Sequence, residues 1–423
     1  MIHKLLLSFT IIAISLLSSC GGRPQPPSSN NETQVNNLHD SIKTSLPKCT
    51  VNVYVENSAS MDGYVKGVTE FEQSVYSYIS DIKLADFCEA LNLNYINSKI
   101  LKQRDDVEDF IAKLEPNTFK IKGGDRGTTD ISNLFKSIME QQGMNDIAIL
   151  ISDFVFSPGK TKDASQYLTN QQIGIKGHFA TKLKECPNYA AVLYRLTSQF
   201  DGKYYNKYDH PTTIDGERPF FIWLLGTTEQ LMRLTSTISK KNMKGNGVDH
   251  TYCISNMYEQ PEYGILPMPR IGRFKPKPSA PRTSILGAKV DKKSPDTKFL
   301  VSIGVDYSSF LLEDSYLTDP HNYEVSNKAY NVEIVENTSP SAYTHTIKLS
   351  LDPSLSVINR GDIKISLLKK AAPWADELTD NDGADINAEG AMGKTFGLKY
   401  LIDGVYDAYK ANDCYATFNL NIQ

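Results

Sequence analysis

Residues Ile147 to Ile151 (IAILI) are apolar at every position, and the run closes on Ser152 and Asp153. A strand without polar alternation is covered on both faces, which points to helices above and below a largely parallel sheet. Pro219 to Leu225 (PFFIWLL) has the same character. Segments of helical period lie around these runs. Val68 to Ile82 is one, Thr227 to Ser239 another, capped by Thr227 or Thr228. Asp130 to Gln142 carries Ile131, Leu134, Phe135, Ile138 and Met139 on a single stripe. Lys162 to Cys186 is also helical in pattern, weakened by Gly174 and Gly177. Leu93 to Leu101 and Tyr189 to Phe200 read as strands, and Asp201-Gly202 with the tyrosine-rich tail that follows as the tip of a loop or hairpin. This alternation from residue 50 to 250 predicts an α/β fold with a doubly wound, mostly parallel sheet. Ligands of such sheets sit at the carboxyl ends of the strands.

Two of those ends carry carboxylates. Thr50 to Tyr64 (TVNVYVENSASMDGY) alternates through Val51, Val53 and Val55, ends on Glu56, and continues with Ser58, Ser60 and Met61. The second carboxylate is Asp153. Between them, Gly123 to Phe135 (GGDRGTTDISNLF) is a glycine-rich turn with hydroxyls on Thr128 and Thr129. Carboxylate and hydroxyl oxygens are the donors that hard divalent cations prefer. In order and character the three pieces resemble the metal-ion-dependent adhesion site of von Willebrand factor A domains. That family's pattern is Asp-x-Ser-x-Ser-Met after the first strand, a later Thr after Gly, and an Asp closing an apolar strand. Glu56, Ser58, Ser60, Thr129 and Asp153 occupy the matching positions, with Glu56 where the family has Asp. The resemblance spans about half of the chain, from 48 to 250. It implies a von Willebrand A-like domain, Mg²⁺ or another divalent cation on those five residues, and a protein or glycan partner that reaches the metal through an acidic group.

The amino terminus sets the expected location. Lys4, the apolar run Leu5 to Leu17 and the small-residue end Leu17-Ser18-Ser19-Cys20 form a signal peptide over 1–20. The last four residues resemble the bacterial lipobox, which implies lipidation at Cys20. A plain signal peptide or a short anchor helix is the alternative. The apolar run is shorter than the about 20 residues of a membrane-spanning helix. Residues 21–47 are polar and rich in Pro, Ser and Asn, and read as a flexible tether. The expected protein is lipid-anchored in a bacterial cell envelope, facing periplasm or exterior. A net charge of −4 gives no reason to expect nucleic acid. The remaining cysteines, Cys49, Cys88, Cys186, Cys253 and Cys414, show no CxxC spacing. Export would permit disulfides, but spacing does not assign pairs.

A first domain over 48–256 is followed by the Pro-rich, basic segment 257–283, read as a connector. Its Arg270, Arg273, Lys275, Lys277 and Arg282 are a candidate basic patch for an acidic partner, with a solvated linker as the plainer reading. Short alternating runs then predict a smaller β-sandwich-like domain over 284–423, with a helical insertion at 374–410 before the last strand, Cys414 to Ile422. The acidic run Asp380 to Asp385 has its glycine too early for an EF-hand loop. Arg360-Gly361-Asp362 spells an integrin-type tripeptide of common residues, and the scattered histidines follow no ligand spacing. No nucleophile elbow or P-loop stands out. The expected function is therefore non-enzymatic binding or adhesion. The alternatives are a metal-dependent periplasmic hydrolase, with Asp62 or Asp130 as its base, and a scaffold of an envelope assembly with a vestigial metal site.

Overall fold

Alternating Val51, Val53 and Val55 build the central strand of a seven-stranded sheet. The computed structural model describes residues 47–423 except 128–129, 160–162, 257–259, 295 and 340. Cys20, the tether up to residue 46 and Thr129 lie outside the described residues. The sheet contains β1 (Cys49–Glu56), β2 (Cys88–Ile96), β3 (Ile100–Lys102), β4 (Asp146–Ser152), β5 (Tyr189–Tyr205), β6 (Pro211–Thr227) and β7 (Val248–Ile254), in the order β3-β2-β1-β4-β6-β5-β7. Pairing is parallel between β1 and both β2 and β4, and antiparallel elsewhere. Strands β1, β2, β4 and β5 thus point one way, and β3, β6 and β7 the other. The molecule is mixed α/β, with its parallel pairings confined to β2-β1-β4.

Helices cover both faces of this sheet. Side chains of opposite parity on a strand point to opposite faces. On β6, Phe220 meets Phe71 of α1 (Glu70–Leu84) at 4.9 Å, whereas Trp223 meets Phe135 of α2 (Ile131–Gln141) at 5.6 Å. The second face also holds α3 (Ala164–Glu185), whose Phe179 packs on Tyr189. Helix α3 runs unbroken through Gly174. A Cβ there would lie 2.4 Å from Ser132 Oγ, so the glycine brings two helices close together and does not interrupt one. Helix α4 (Thr228–Thr237) starts at a capping box in which Thr227 and Gln230 bond each other's backbone N–H.

Two expectations about turns change. The run 93–101 holds two strands, β2 and β3, reversing through Asn97 to Lys99. The β5–β6 hairpin turns within the tyrosine-rich tail, but the Asp201-Gly202 pair before it is still strand, because β5 continues to Tyr205. Gly202 has a packing role: a Cβ there would sit 2.7 Å from the Gly63 Cα. Turn-forming composition here reflects close approach of two backbones.

Beyond β7 the chain forms β8 (Tyr263–Ile265), β9 (Arg273–Pro276), β10 (Ser284–Lys289), β11 (Leu300–Val305), β12 (Tyr323–Val325), β13 (Tyr330–Glu336), β14 (His345–Leu351), β15 (Gly361–Leu368), β16 (Thr379–Asp380), β17 (Thr395–Phe396) and β18 (Cys414–Ile422). Sheets β12-β15-β18-β10-β9 and β13-β14-β11-β8 share a second apolar core that includes Val301, Ile347, Ile365 and Phe418. The Pro-rich segment does more than connect. It supplies β8 to one sheet and β9 to the other, using edge positions where prolines cost no ladder bond. The helix in 374–410, α5 (Leu398–Tyr409), buries Leu398, Leu401, Ile402, Val405 and Tyr409 in the first core, with Tyr409 against Phe179. Residues 47–423 form one compact unit. No helix among the described residues is long and apolar enough to cross a membrane.

Candidate functional site

Strands β1 and β4 lie side by side, with Val55 opposite Ile151, so both carboxyl ends open at the same rim. Connections from β1 and into β4 leave on opposite faces, through α1 and α2. That makes the rim a switch point of the sheet.

Glu56 ends β1 and is 1 % exposed. Its Oε2 accepts a short hydrogen bond from Ser152 Oγ, which in turn accepts from the Phe154 N–H at 2.8 Å. Next, Asn57 N–H donates to Ile96 O, extending the β1–β2 ladder by one bond, and the chain folds into a 3₁₀ turn, Ala59–Gly63. In that turn Ser58 Oγ and Ser60 Oγ are 3.0 Å apart. Asp153 is 4 % exposed and accepts from the Val155 N–H at 3.2 Å and from the Ser60 hydroxyl. Burial pushes the Asp153 carboxyl above the usual range, against the pull of these hydrogen bonds and of the Arg218 guanidinium. Phe154 follows at φ 49°, a left-handed backbone that a bulky residue adopts only when packing imposes it. Its ring is held at 6.1 Å from both Phe135 and Phe221.

Two arginines frame the rim. Arg126, from the glycine-rich loop, donates Nε to Asn57 O at 2.7 Å and Nη2 to Ser58 O at 3.1 Å, and pairs with Asp62 at 2.5 Å. The Ala59 N–H returns a bond to Arg126 O. Arg218 is 1 % exposed; its Nη1 donates to Ala391 O, Met392 O and Lys394 O at 2.9–3.2 Å, and its guanidinium lies 4.8 Å from the Tyr204 ring. Burial pushes the Tyr204 hydroxyl up to about 12 and that of Tyr64 higher still, so both stay neutral beside Arg218.

Family models, curated proteins and solved structures were compared with the chain. None matches.

Glu56, Ser58, Ser60 and Asp153 are therefore gathered at one rim, while Thr129 lies outside the described residues. Among the described residues no three His, Cys, Asp or Glu side chains are grouped as a metal's ligands would be. The fit to a cation rests on the hydroxyls. Neighbouring oxygens around Mg²⁺ sit roughly 2.9 Å apart for bonds of about 2.0–2.1 Å. The Ser58–Ser60 separation matches that spacing, and Asp153 adjoins Ser60. Glu56 stands beside them with its Oε2 engaged by Ser152.

The two candidate bases are committed elsewhere. Asp62 is paired with Arg126, and Asp130 caps α2 through the Asn133 N–H at 3.1 Å while accepting from Gln171. The acidic loop is a docking element: Asp380 accepts from the Asp382 and Gly383 N–H groups, and Asp382 pairs with Lys207 at the end of the β5–β6 hairpin. Within Arg360-Gly361-Asp362, Arg360 donates to Ala288 O and Asp362 accepts from Asn421. Sequence reasoning missed Arg218 and Ser152. A single arginine before Pro219 and a serine inside an apolar run carry no local signal. Arg126 stood inside the quoted loop, and only the fold shows that it clamps the serine turn.

Proposed function

We propose that this chain is a lipid-anchored envelope protein that binds a protein or glycan partner through a von Willebrand A-like α/β domain, without catalysing a reaction. The observation that carries the reading is the gathering of Ser58, Ser60 and Asp153 at the switch point, with the two serine oxygens 3.0 Å apart. In this reading Glu56, Ser58, Ser60 and Asp153 hold a divalent cation such as Mg²⁺. The cation supplies an open coordination position for an oxygen of the partner. The left-handed Phe154 supports the same view, since strain of this kind is concentrated where a side chain must be aimed.

The test is calorimetric titration of the mature chain with Mg²⁺ and Mn²⁺, beside Ser58→Ala/Ser60→Ala. Binding by wild type alone is expected. Silence from both would remove the cation from the reading. Capture of a partner from detergent-solubilised envelopes, lost with chelator, is the companion result. The second reading, a scaffold with a vestigial site, is favoured by the two guanidinium groups at the rim and by the bond that occupies Glu56. In that case the double variant captures its partner as well as wild type does.

A further inference from the structure

The opposite end of β1 carries chemistry that neither the fold nor the proposed binding site requires. Cys49 begins β1 and Cys88 begins β2, and the two are register partners in the parallel pair. That alignment depends on an irregularity. Thr50 pairs with Ala90, so Glu89 is an extra residue, and its insertion moves Cys88 opposite Cys49. Adjacent strands lie about 4.8 Å apart. A disulfide spans Cα separations of roughly 4.4–6.8 Å. Cys186 lies outside the strands, Cys253 pairs with Val192, and Cys414 with Leu368, so none of these three has a cysteine opposite it.

Reactivity is arranged around the pair. Cys88 is half-buried and therefore reachable, whereas Cys49 is 1 % exposed. Arg233 stands at the buried partner, donating Nη2 to Pro47 O at 2.8 Å with its guanidinium 5.5 Å from the Phe87 ring. Burial pushes both thiols up; the Arg233 charge and hydrogen bond draw Cys49 back down.

We propose that Cys49 and Cys88 form a structural disulfide that staples the first residues of β1 to β2. The oxidant is a small or protein disulfide. The Cys88 thiolate attacks one of its sulfurs, giving a mixed disulfide and releasing the other sulfur as a thiolate. The Cys49 thiolate then attacks the Cys88 sulfur, and the second thiolate leaves. One S–S bond forms in the chain and one breaks in the oxidant. Two electrons and the two thiol protons pass to the oxidant, which becomes two thiols. The staple sits two residues past Pro47, where the compact unit begins, so tension on the amino-terminal segment would reach it first.

The test is peptide mapping of the full chain without reductant, before and after incubation with oxidised glutathione. Free thiols are alkylated in denaturant before digestion. The expected product is a cross-linked pair of peptides carrying Cys49 and Cys88, lighter than their sum by two hydrogen atoms and separated by reductant. Cys88→Ser should leave Cys49 fully alkylated under the same conditions. Recovery of both cysteines singly alkylated after glutathione treatment would overturn the proposal. So would cross-links from either to Cys186, Cys253 or Cys414.

Discussion

Cys49 and Glu56 stand at opposite ends of one strand, roughly 23 Å apart at about 3.3 Å per residue. The amino end is set by register: a one-residue irregularity at Glu89 makes Cys88 the strand partner of Cys49, with Arg233 beside the buried one. The carboxyl end is assembled from loops. Its oxygens come from the serine turn, from the residue after β4 and from a hydroxyl at the end of β4; Arg126 ties down the backbone of the turn, and the charge of Arg218 acts on Asp153. Soft sulfur is thus fixed by backbone pairing, and hard oxygen by side-chain bonding across segments distant in sequence. The carboxyl end should therefore depend far more on individual side chains.

The largest effect is expected from Arg218→Met. Three carbonyls lose a buried donor and Asp153 loses its nearby cation. Each buried acceptor left without its donor costs about 1–3 kcal/mol. Urea unfolding checks this, and a loss near zero would show that the rim holds without its arginine. Reducing the Cys49–Cys88 staple should cost roughly 2–4 kcal/mol in the same assay, because a loop of some forty residues is released in the unfolded chain. If reduction cost more than Arg218→Met, the contrast between the two ends would be reversed.

The ends should also titrate in different windows. The Asp153 carboxyl is raised in the folded chain, so its contribution to stability is complete below the usual aspartate range and is lost as pH climbs through the folded value. Asp153→Asn should flatten that part of the stability–pH curve. At the amino end both thiols are raised, so the reduced protein loses their contribution as pH rises beyond the ordinary thiol value of about 8.5. The oxidised protein has no such loss. Lys369 works against this trend. It is buried against Asn256 Oδ1 at 2.7 Å, and burial lowers its ammonium to about 8, so stability rises with pH from there towards the unfolded lysine value. Comparing oxidised with reduced protein cancels Lys369 and isolates the thiols. The smallest change in stability, about 1 kcal/mol, is expected for Ser58→Ala/Ser60→Ala, which removes the bond between the buried Ser58 and the half-buried Ser60 hydroxyls. Its effect should appear in cation titration alone.

Local sequence pattern determined the elements. Alternating valines made β1, the unbroken apolar run made β4, and a single stripe of Ile131, Leu134, Phe135, Ile138 and Met139 made α2. Periodicity reports which faces of a segment are covered, and that information is contained within a few residues. The gathering of Ser58, Ser60 and Asp153 followed because strand ends of one α/β sheet share a rim. Tertiary structure alone decided which segments meet. It put β4 beside β1, drew α5 from the carboxyl-terminal half onto α3, and wove the Pro-rich stretch into two sheets. It also decided that Gly202 would pack against Gly63, that the charge of Arg218 would act on Asp153, and that Glu89 would shift Cys88 into line with Cys49. These outcomes depend on complementarity between surfaces far apart in the chain, and no window of sequence contains both surfaces at once.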